Sequence, residues 1–194
     1  MTWGDIQIES LKKMFLNNDD LKIEDLAKYK SDKKYKTYLY AMPQACNEAI
    51  NYICNLEPII KSYELNVGTE KRYNLKDLIS DFKHIDNVIC DKSFRWEMET
   101  NDVLKITENI GIVTIYYEAY PTIVNSNTDN NQEIEINKDC LRYIPLYIAG
   151  ELYKDDDLTL STMYMNEFFN NISMITDRVK NITNNKINAI YTMN

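Results

Sequence analysis

The chain has 194 residues, of which 44% are hydrophobic and 27% charged, and its net charge is −8. That length suits one ordinary domain, or one with an insertion, and is enough to bury a real core. No apolar run approaches the roughly 20 residues needed to cross a bilayer. The first residues lack the basic, apolar, small-residue order of a secretory leader, so the expected place is the cytoplasm, with release by lysis.

Cysteine and histidine usage narrows the chemistry. Cys46, Cys54, Cys90 and Cys140 are scattered with no C-x-x-C pair, and His84 is the single histidine. No metal-ligand set follows from that spacing, and Cys46 and Cys54 read as small hydrophobes in a helix core. The acidity is uneven. Residues 1–56 sum to 0, residues 57–137 to −7 and residues 138–194 to −1. An acidic middle segment does not suit phosphate binding, which needs clustered Lys and Arg.

In chain order, Thr2-Trp3-Gly4-Asp5 precedes a helical pattern with Ile8, Leu11, Met14 and Phe15 on one side, and Asn17-Asn18-Asp19-Asp20 ends it with turn chemistry. A second short helical piece runs from Lys22 to Tyr29. Lys28, Lys30, Lys33, Lys34 and Lys36 form a basic run with Tyr29 and Tyr35 interleaved. It reads as a solvated face, the alternative being contact with nucleic acid or an acidic partner. From about Asp32 to Leu56 a strong helix is expected, because Tyr35, Leu39, Met42, Cys46, Ala49, Ile53 and Leu56 recur four and three apart. Pro43 removes one backbone hydrogen bond inside it and is expected to kink it.

The period then changes. Extended segments are expected at Pro58 to Leu65, Arg72 to Leu75, Val88 to Cys90, Phe94 to Met98 and Asp102 to Ile106, with a helical turn between Asp77 and Phe82. Ile110 to Tyr120 is the clearest strand, dense in β-branched and aromatic residues. Asn125 to Gln132 is a polar loop leading into an alternating Glu133 to Ile136. These pieces make a small antiparallel sheet or sandwich inserted between helices.

Lys138 to Thr183 reads as an antiparallel helical hairpin. Its first helix carries Leu141, Ile144, Ile148 and Leu152 on one stripe; its second carries Leu160, Tyr164, Phe168, Ile172, Ile175, Val179 and Ile182. Between them, Lys154 suits a helix C-terminus and Asp157 can cap the next helix. The expected fold class is therefore α+β: a helical bundle from residues 1–56 and 138–183, an inserted antiparallel β module at 57–137, and a flexible tail at 184–194. The bundle packs through Tyr35, Leu39, Met42, Ile53, Ile148, Leu152, Tyr164, Phe168 and Ile172. In the tail, Ile187, Ile190 and Tyr191 are too few apolar groups to make a core and await a partner.

Catalytic patterns are thin. The four glycines do not cluster into a phosphate-cradling loop. His84 is the one histidine a Ser/His/Asp or Cys/His arrangement would have to use. The acids of Asp155-Asp156-Asp157 are explained by helix capping, and Asn125 to Asp129 lacks the central Gly of a calcium loop. The sequence thus nominates no catalytic, metal or cofactor-binding residue.

The order of elements resembles the head-tail adaptor (connector) proteins of tailed bacteriophages, in particular a group from phages of low-GC Gram-positive bacteria. The low Gly and Pro and abundant Asn, Ile, Lys and Tyr agree with an A+T-rich genome. The segments that carry the resemblance are MPQACNEAI (Met42 to Ile50), GIVTIYYEAYPTI (Gly111 to Ile123) and IPLYIAGELYKDDDLTLSTMYMNEF (Ile144 to Phe168). Where many relatives of that group carry a basic residue near position 165 this chain has Met165, so the resemblance does not extend to an ion pair between subunits at that point.

The resemblance implies a structural virion protein of the neck, made in the host cytoplasm, with no cofactor, enzyme activity or membrane contact. Such adaptors form a ring, twelvefold by resemblance, beneath the portal, extend the DNA channel and dock a stopper or tail-completion protein. Twelve copies at −8 carry −96, and an acidic channel lets DNA slide without specific binding. On this reading Ile187, Ile190 and Tyr191 meet the portal, while Asp129, Glu133 and Glu135 face the lumen or the next component. The alternatives are another neck component, a stopper or tail terminator, and a bacterial cytosolic binding module.

Overall fold

A computed structural model describes residues 1–15, 21–69 and 71–191, with side chains described as far as Arg178. The turn expected at Asn17 to Asp20 lies outside these residues. The chain divides into a helical unit, Met1–Glu57 with Thr122–Asn194, and a β unit, Pro58–Pro121. The fold is α+β, with helices from both ends of the chain and a small antiparallel β region between them.

In the helical unit, α1 (Trp3–Met14) begins at a capping box: Asp5 N donates to Thr2 Oγ1 at 3.2 Å and Thr2 N to Asp5 Oδ2 at 2.7 Å. The spacing assigned it one apolar face, yet Trp3, Gly4, Ile6, Gln7 and Ser10 are buried as well. Ser10 tolerates this because its hydroxyl donates to Ile6 O at 2.7 Å. A 3₁₀ turn at Ile23–Asp25 leads into α2 (Leu26–Tyr29).

The helix expected from Asp32 starts four residues later, as α3 (Lys36–Leu56), after turns that bond Tyr35 N and Lys36 N to Asp32 O. It continues through Pro43, and its buried stripe is wider than the heptad spacing implied, taking in Ala45 and Ile50, while Cys46 and Cys54 are buried as expected.

The hairpin's first helix is divided. A turn at Arg142 and Tyr143 separates α5 (Lys138–Leu141) from α6 (Ile144–Leu152). Pro145 has no N–H to donate to Leu141 four residues back, and its ring suits a helix's first turn. Asp157 then starts α7 (Leu158–Tyr191) by accepting from Thr159 N and Leu160 N, both at 3.0 Å. α7 does not end at Thr183, where the apolar period fails. Elongating an existing helix adds one hydrogen bond per residue with no new nucleus, and the backbone stays helical to Tyr191. The short α6 is central: α1, α3 and α7 all pack on it, and Ile144, Ile148 and Ala149 are fully buried. At about 1.5–3 kcal/mol per buried Leu or Ile side chain, this contact outweighs the helix's brevity.

The β unit holds two antiparallel three-stranded sheets. In the first, β6 (Gly111–Ala119) lies between β1 (Ile59–Val67) and β3 (Phe82–Ile89). β1 pairs with β6 without a break from Ile59↔Ala119 to Val67↔Gly111, whereas β3 is bulged between Phe82 and His84 and between Ile85 and Asn87. The second sheet orders β2 (Arg72–Asn74), β5 (Val103–Ile106) and β4 (Trp96–Met98). The helical turn α4 (Leu75–Leu78) follows β2 directly, earlier than the expected Asp77 to Phe82. One core joins both sheets: Val113, Ile115 and Leu65 of the first meet Leu104, Ile106 and Tyr73 of the second. Gly111 opens β6 at φ +86°, a left-handed conformation that a side chain would strain.

Two boundaries differ from the sequence reading. Residues 122–137 belong to the helical unit, not to the β module expected at 57–137. Glu133 to Ile136 forms no strand of its own and is held by a single bridge, Thr2↔Glu133. Alternation of Glu and Ile satisfies strand period, but a strand exists only where a partner offers a ladder of backbone groups.

Candidate functional site

Residues 122–137 act as a strap across the helical unit, tied mainly through backbone atoms. Asn47 of α3 clasps Val124, its Oδ1 accepting from Val124 N at 2.9 Å and its Nδ2 donating to Val124 O at 2.8 Å. Farther along, Trp3 N donates to Gln132 O and Gly4 N to Asn130 O, both at 2.8 Å. These are free donors of a helix's first turn, which need acceptors from elsewhere. Gly4 permits the approach, since a Cβ there would lie 3.0 Å from Asn130 O. At the strap's end Asn137 Nδ2 donates to both carboxylate oxygens of Glu57 at 2.9 Å, while its Oδ1 accepts from Asp139 N and starts α5.

The other end of α1 is closed by the hairpin. Tyr164 OH donates to Lys13 O at 2.9 Å and Tyr153 OH donates to Met14 O. The two rings stack 6.4 Å apart with 12° between their planes. Burial first, then the neighbouring Glu167 carboxylate, pushes the Tyr164 phenol above its ordinary value, so it remains a donor at neutral pH.

α6 and α7 cross at Gly150. Ser161 Oγ donates to Gly150 O at 2.8 Å, and a Cβ at Gly150 would meet Met165 Cγ at 2.7 Å. Met165 therefore covers the close approach of the two helices. Beside it Tyr52, Tyr147, Phe168 and Phe169 form one aromatic cluster with centroid distances of 5.0–6.3 Å. Tyr147 OH reaches Glu48 Oε2 at 3.4 Å; burial and the Glu48 and Glu151 carboxylates push its phenol up to about 12.

Of the residues assigned to bundle packing, Tyr35, Leu39, Met42, Ile53, Ile148, Tyr164, Phe168 and Ile172 are buried and Leu152 is half-buried. The spacing missed Tyr52, Tyr147 and Phe169, which sit off the stripes. Asp129, Glu133 and Glu135 are exposed on the strap. Asp129 Oδ1 accepts from Asn131 N at 2.9 Å. The β unit proper, 58–121, has eleven acidic and eight basic residues, while 122–137 has three acids and no base. Much of the acidity attributed to the β module thus lies on the helical unit. Ile187, Ile190 and Tyr191 are on the α7 backbone, with side chains outside the described residues.

Two lysines of the basic run lie over aromatic rings. Lys34 Nζ is 4.8 Å from the Phe15 centroid and 5.0 Å from that of Tyr35, and Lys36 Nζ is 5.9 Å from that of Tyr40. His84 is exposed on β3. Burial pushes the Cys46 thiol up to about 12 and the Cys140 thiol up to about 11, the latter helped by Glu57 and Asp139. Such thiols stay protonated and poor nucleophiles at neutral pH. Among the described residues no group of three or more His, Cys, Asp or Glu could hold a metal ion, and no helix is long and apolar enough to cross a membrane.

Neither protein-family models nor curated protein sequences give a match to this chain.

Proposed function

We propose that this protein is a structural component of a phage neck, a head-tail adaptor that forms a ring beneath the portal, extends the DNA channel and docks the next component. The observation that carries the reading is the length of α7. Its 34 residues give about 51 Å of helix at 1.5 Å per residue, against nine residues in α6, its hairpin partner. Among the described residues the buried side chains of α7 are Ser161, Tyr164, Phe168, Ile172 and Thr176, all in its N-terminal part. The remainder suits a contact between subunits or with the portal.

The element order supports the same reading: helices, an interrupting β unit, a Pro-containing helix, an acidic turn and a long terminal helix. Asp129, Glu133 and Glu135, exposed on the strap, are the carboxylates assigned to the lumen or to the next component. The role asks for rigid geometry rather than a reactive group, and α1 is bonded at both ends to chain more than a hundred residues away.

Native mass measurement of the protein with and without a purified portal ring from the same gene cluster tests this. A ring assembling on the portal is expected, and truncation after Thr183 should abolish attachment through Ile187, Ile190 and Tyr191. Failure of the full-length protein to bind the portal overturns the proposal. Assembly on a tail tube instead would assign it to a stopper or tail terminator.

A further inference from the structure

Within the β unit, the two edges of the first sheet differ in what they leave open. Tyr120 N, one residue past β6, donates to Asp81 O at 2.7 Å, and Cys90 Sγ donates to Ile112 O at 3.5 Å. The even-numbered residues of β6 therefore turn their N–H and C=O groups toward β3, and the odd-numbered ones toward β1. The register from Ile59↔Ala119 to Val67↔Gly111 then bonds the odd residues of β1 to β6. Ile60, Ser62, Glu64 and Asn66 are left to present their backbone groups at the outer edge, where they meet no partner among the described residues, and their side chains are exposed.

The opposite edge is closed. Two bulges break the register of β3, and its outward Val88 N is taken by Asn87 Oδ1 at 2.8 Å. In the second sheet the edge strands β2 and β4 have only three residues each. β1 has nine residues, no bulge, and neither Lys nor Pro among its outward residues, so it lacks the devices that keep an edge from pairing.

We infer that a second copy of this chain pairs with the β1 edge, strand to strand and antiparallel, about a twofold axis at Tyr63. In that register Ile60 lies opposite Asn66 of the second copy, and Ser62 opposite its Glu64, where the hydroxyl donates to the carboxylate. Every outward group of β1 is used, with about eight backbone hydrogen bonds formed. A slip of one pleat repeat in one direction sets Glu64 against Glu64. In the other it sets Asn66 against Pro58, which has no N–H. The edge is thus its own complement, and the paired copies share one continuous sheet. This contact belongs to the free protein and does not rest on the adaptor reading.

Sedimentation velocity of the full-length protein over a rising concentration series, with amide hydrogen exchange at the same concentrations, tests the pairing. A monomer–dimer equilibrium is expected, with exchange slowing at Ile60, Ser62, Glu64 and Asn66 as dimer forms. The amides of Lys61, Tyr63 and Leu65, already bonded to β6, should keep their rates. Ser62→Glu sets like charges opposite each other twice and should weaken the dimer about tenfold, whereas Ser62→Lys should tighten it. Both should leave the far-UV circular dichroism unchanged, because Ser62 is exposed. A protein that stays monomeric throughout, a dimer that leaves the four outward amides unprotected, or a dimer indifferent to the charge placed at position 62 overturns the inference.

Discussion

The helical unit and the β unit are held by different kinds of bond. In the helical unit the decisive polar contacts run from side chains to backbone across long stretches of sequence: Asn47 to Val124 over 77 residues, Tyr153 to Met14 over 139, Tyr164 to Lys13 over 151. In the β unit the side-chain ties are shorter in sequence: Lys61 with Asp81 is half-buried, and Arg72 with Glu99 and Lys105 with Glu97 lie at the surface. Exposed ion pairs contribute at most about 1 kcal/mol each because water and salt screen them. A buried backbone group left without its partner costs more than that. The β unit rests on its shared apolar core, whereas the helical unit also depends on a few polar clasps that close the chain on itself.

Phe168, fully buried among Tyr52, Tyr147 and Phe169, should be the most costly to truncate. Phe168→Ala is expected to destabilise the helical unit by about 3–5 kcal/mol in urea unfolding, and a loss below that range would mean the cluster is not its core.

Gly150→Ala comes next. The added methyl would press on Met165 and cost about 1–3 kcal/mol. Met165→Ala in the same chain should recover most of this, so the double-mutant cycle yields a coupling energy. Additive losses would show that the crossing of α6 and α7 is not sterically set.

Asn47→Ala removes both bonds to Val124 and should cost about 1–2 kcal/mol. The more specific signature is faster hydrogen exchange at the Val124 amide with the β unit's amides unchanged.

The β unit's response should be smaller and dependent on pH. Burial would raise the Asp81 carboxyl, but hydrogen bonds from Lys61 at 2.9 Å and Tyr117 at 3.0 Å hold it below its ordinary value of 3.8. A carboxyl lowered in the folded state adds stability that is present above its unfolded pKa and lost as pH falls through the folded one. Asp81→Asn should therefore destabilise at neutral pH, by no more than about 1 kcal/mol, and the difference from the parent should vanish on acidification below 3.8. A difference that persists in acid would trace to packing instead. Smallest of all, Arg72→Ala should leave the melting temperature unchanged, since Arg72 is exposed and its partner Glu99 retains Lys105.

The stripe from Leu39 to Ile53, the run Gly111 to Ala119 and the cap at Asp157 were legible because each is a local pattern, fixed by side-chain period or by a bond three residues long. The interruption before α6 was written in Pro145, whose lost hydrogen bond points to Leu141, but its consequence was read only from the backbone. The strap was misassigned to the β module because Glu133 to Ile136 alternates like a strand. What holds it are backbone carbonyls of Asn130 and Gln132 on α1's first turn, and a carbonyl is the same in every residue.

By itself, then, the sequence determined the α+β class, the apolar stripes of the helices and the strand-forming middle, because periodicity and turn chemistry are properties of neighbouring residues. Tertiary structure alone decided that residues 122–137 close over α1, that Tyr153 and Tyr164 cap its far end, and that Met165 fills the space Gly150 leaves. Those contacts join groups far apart in the chain, where only the folded path brings a donor to its acceptor.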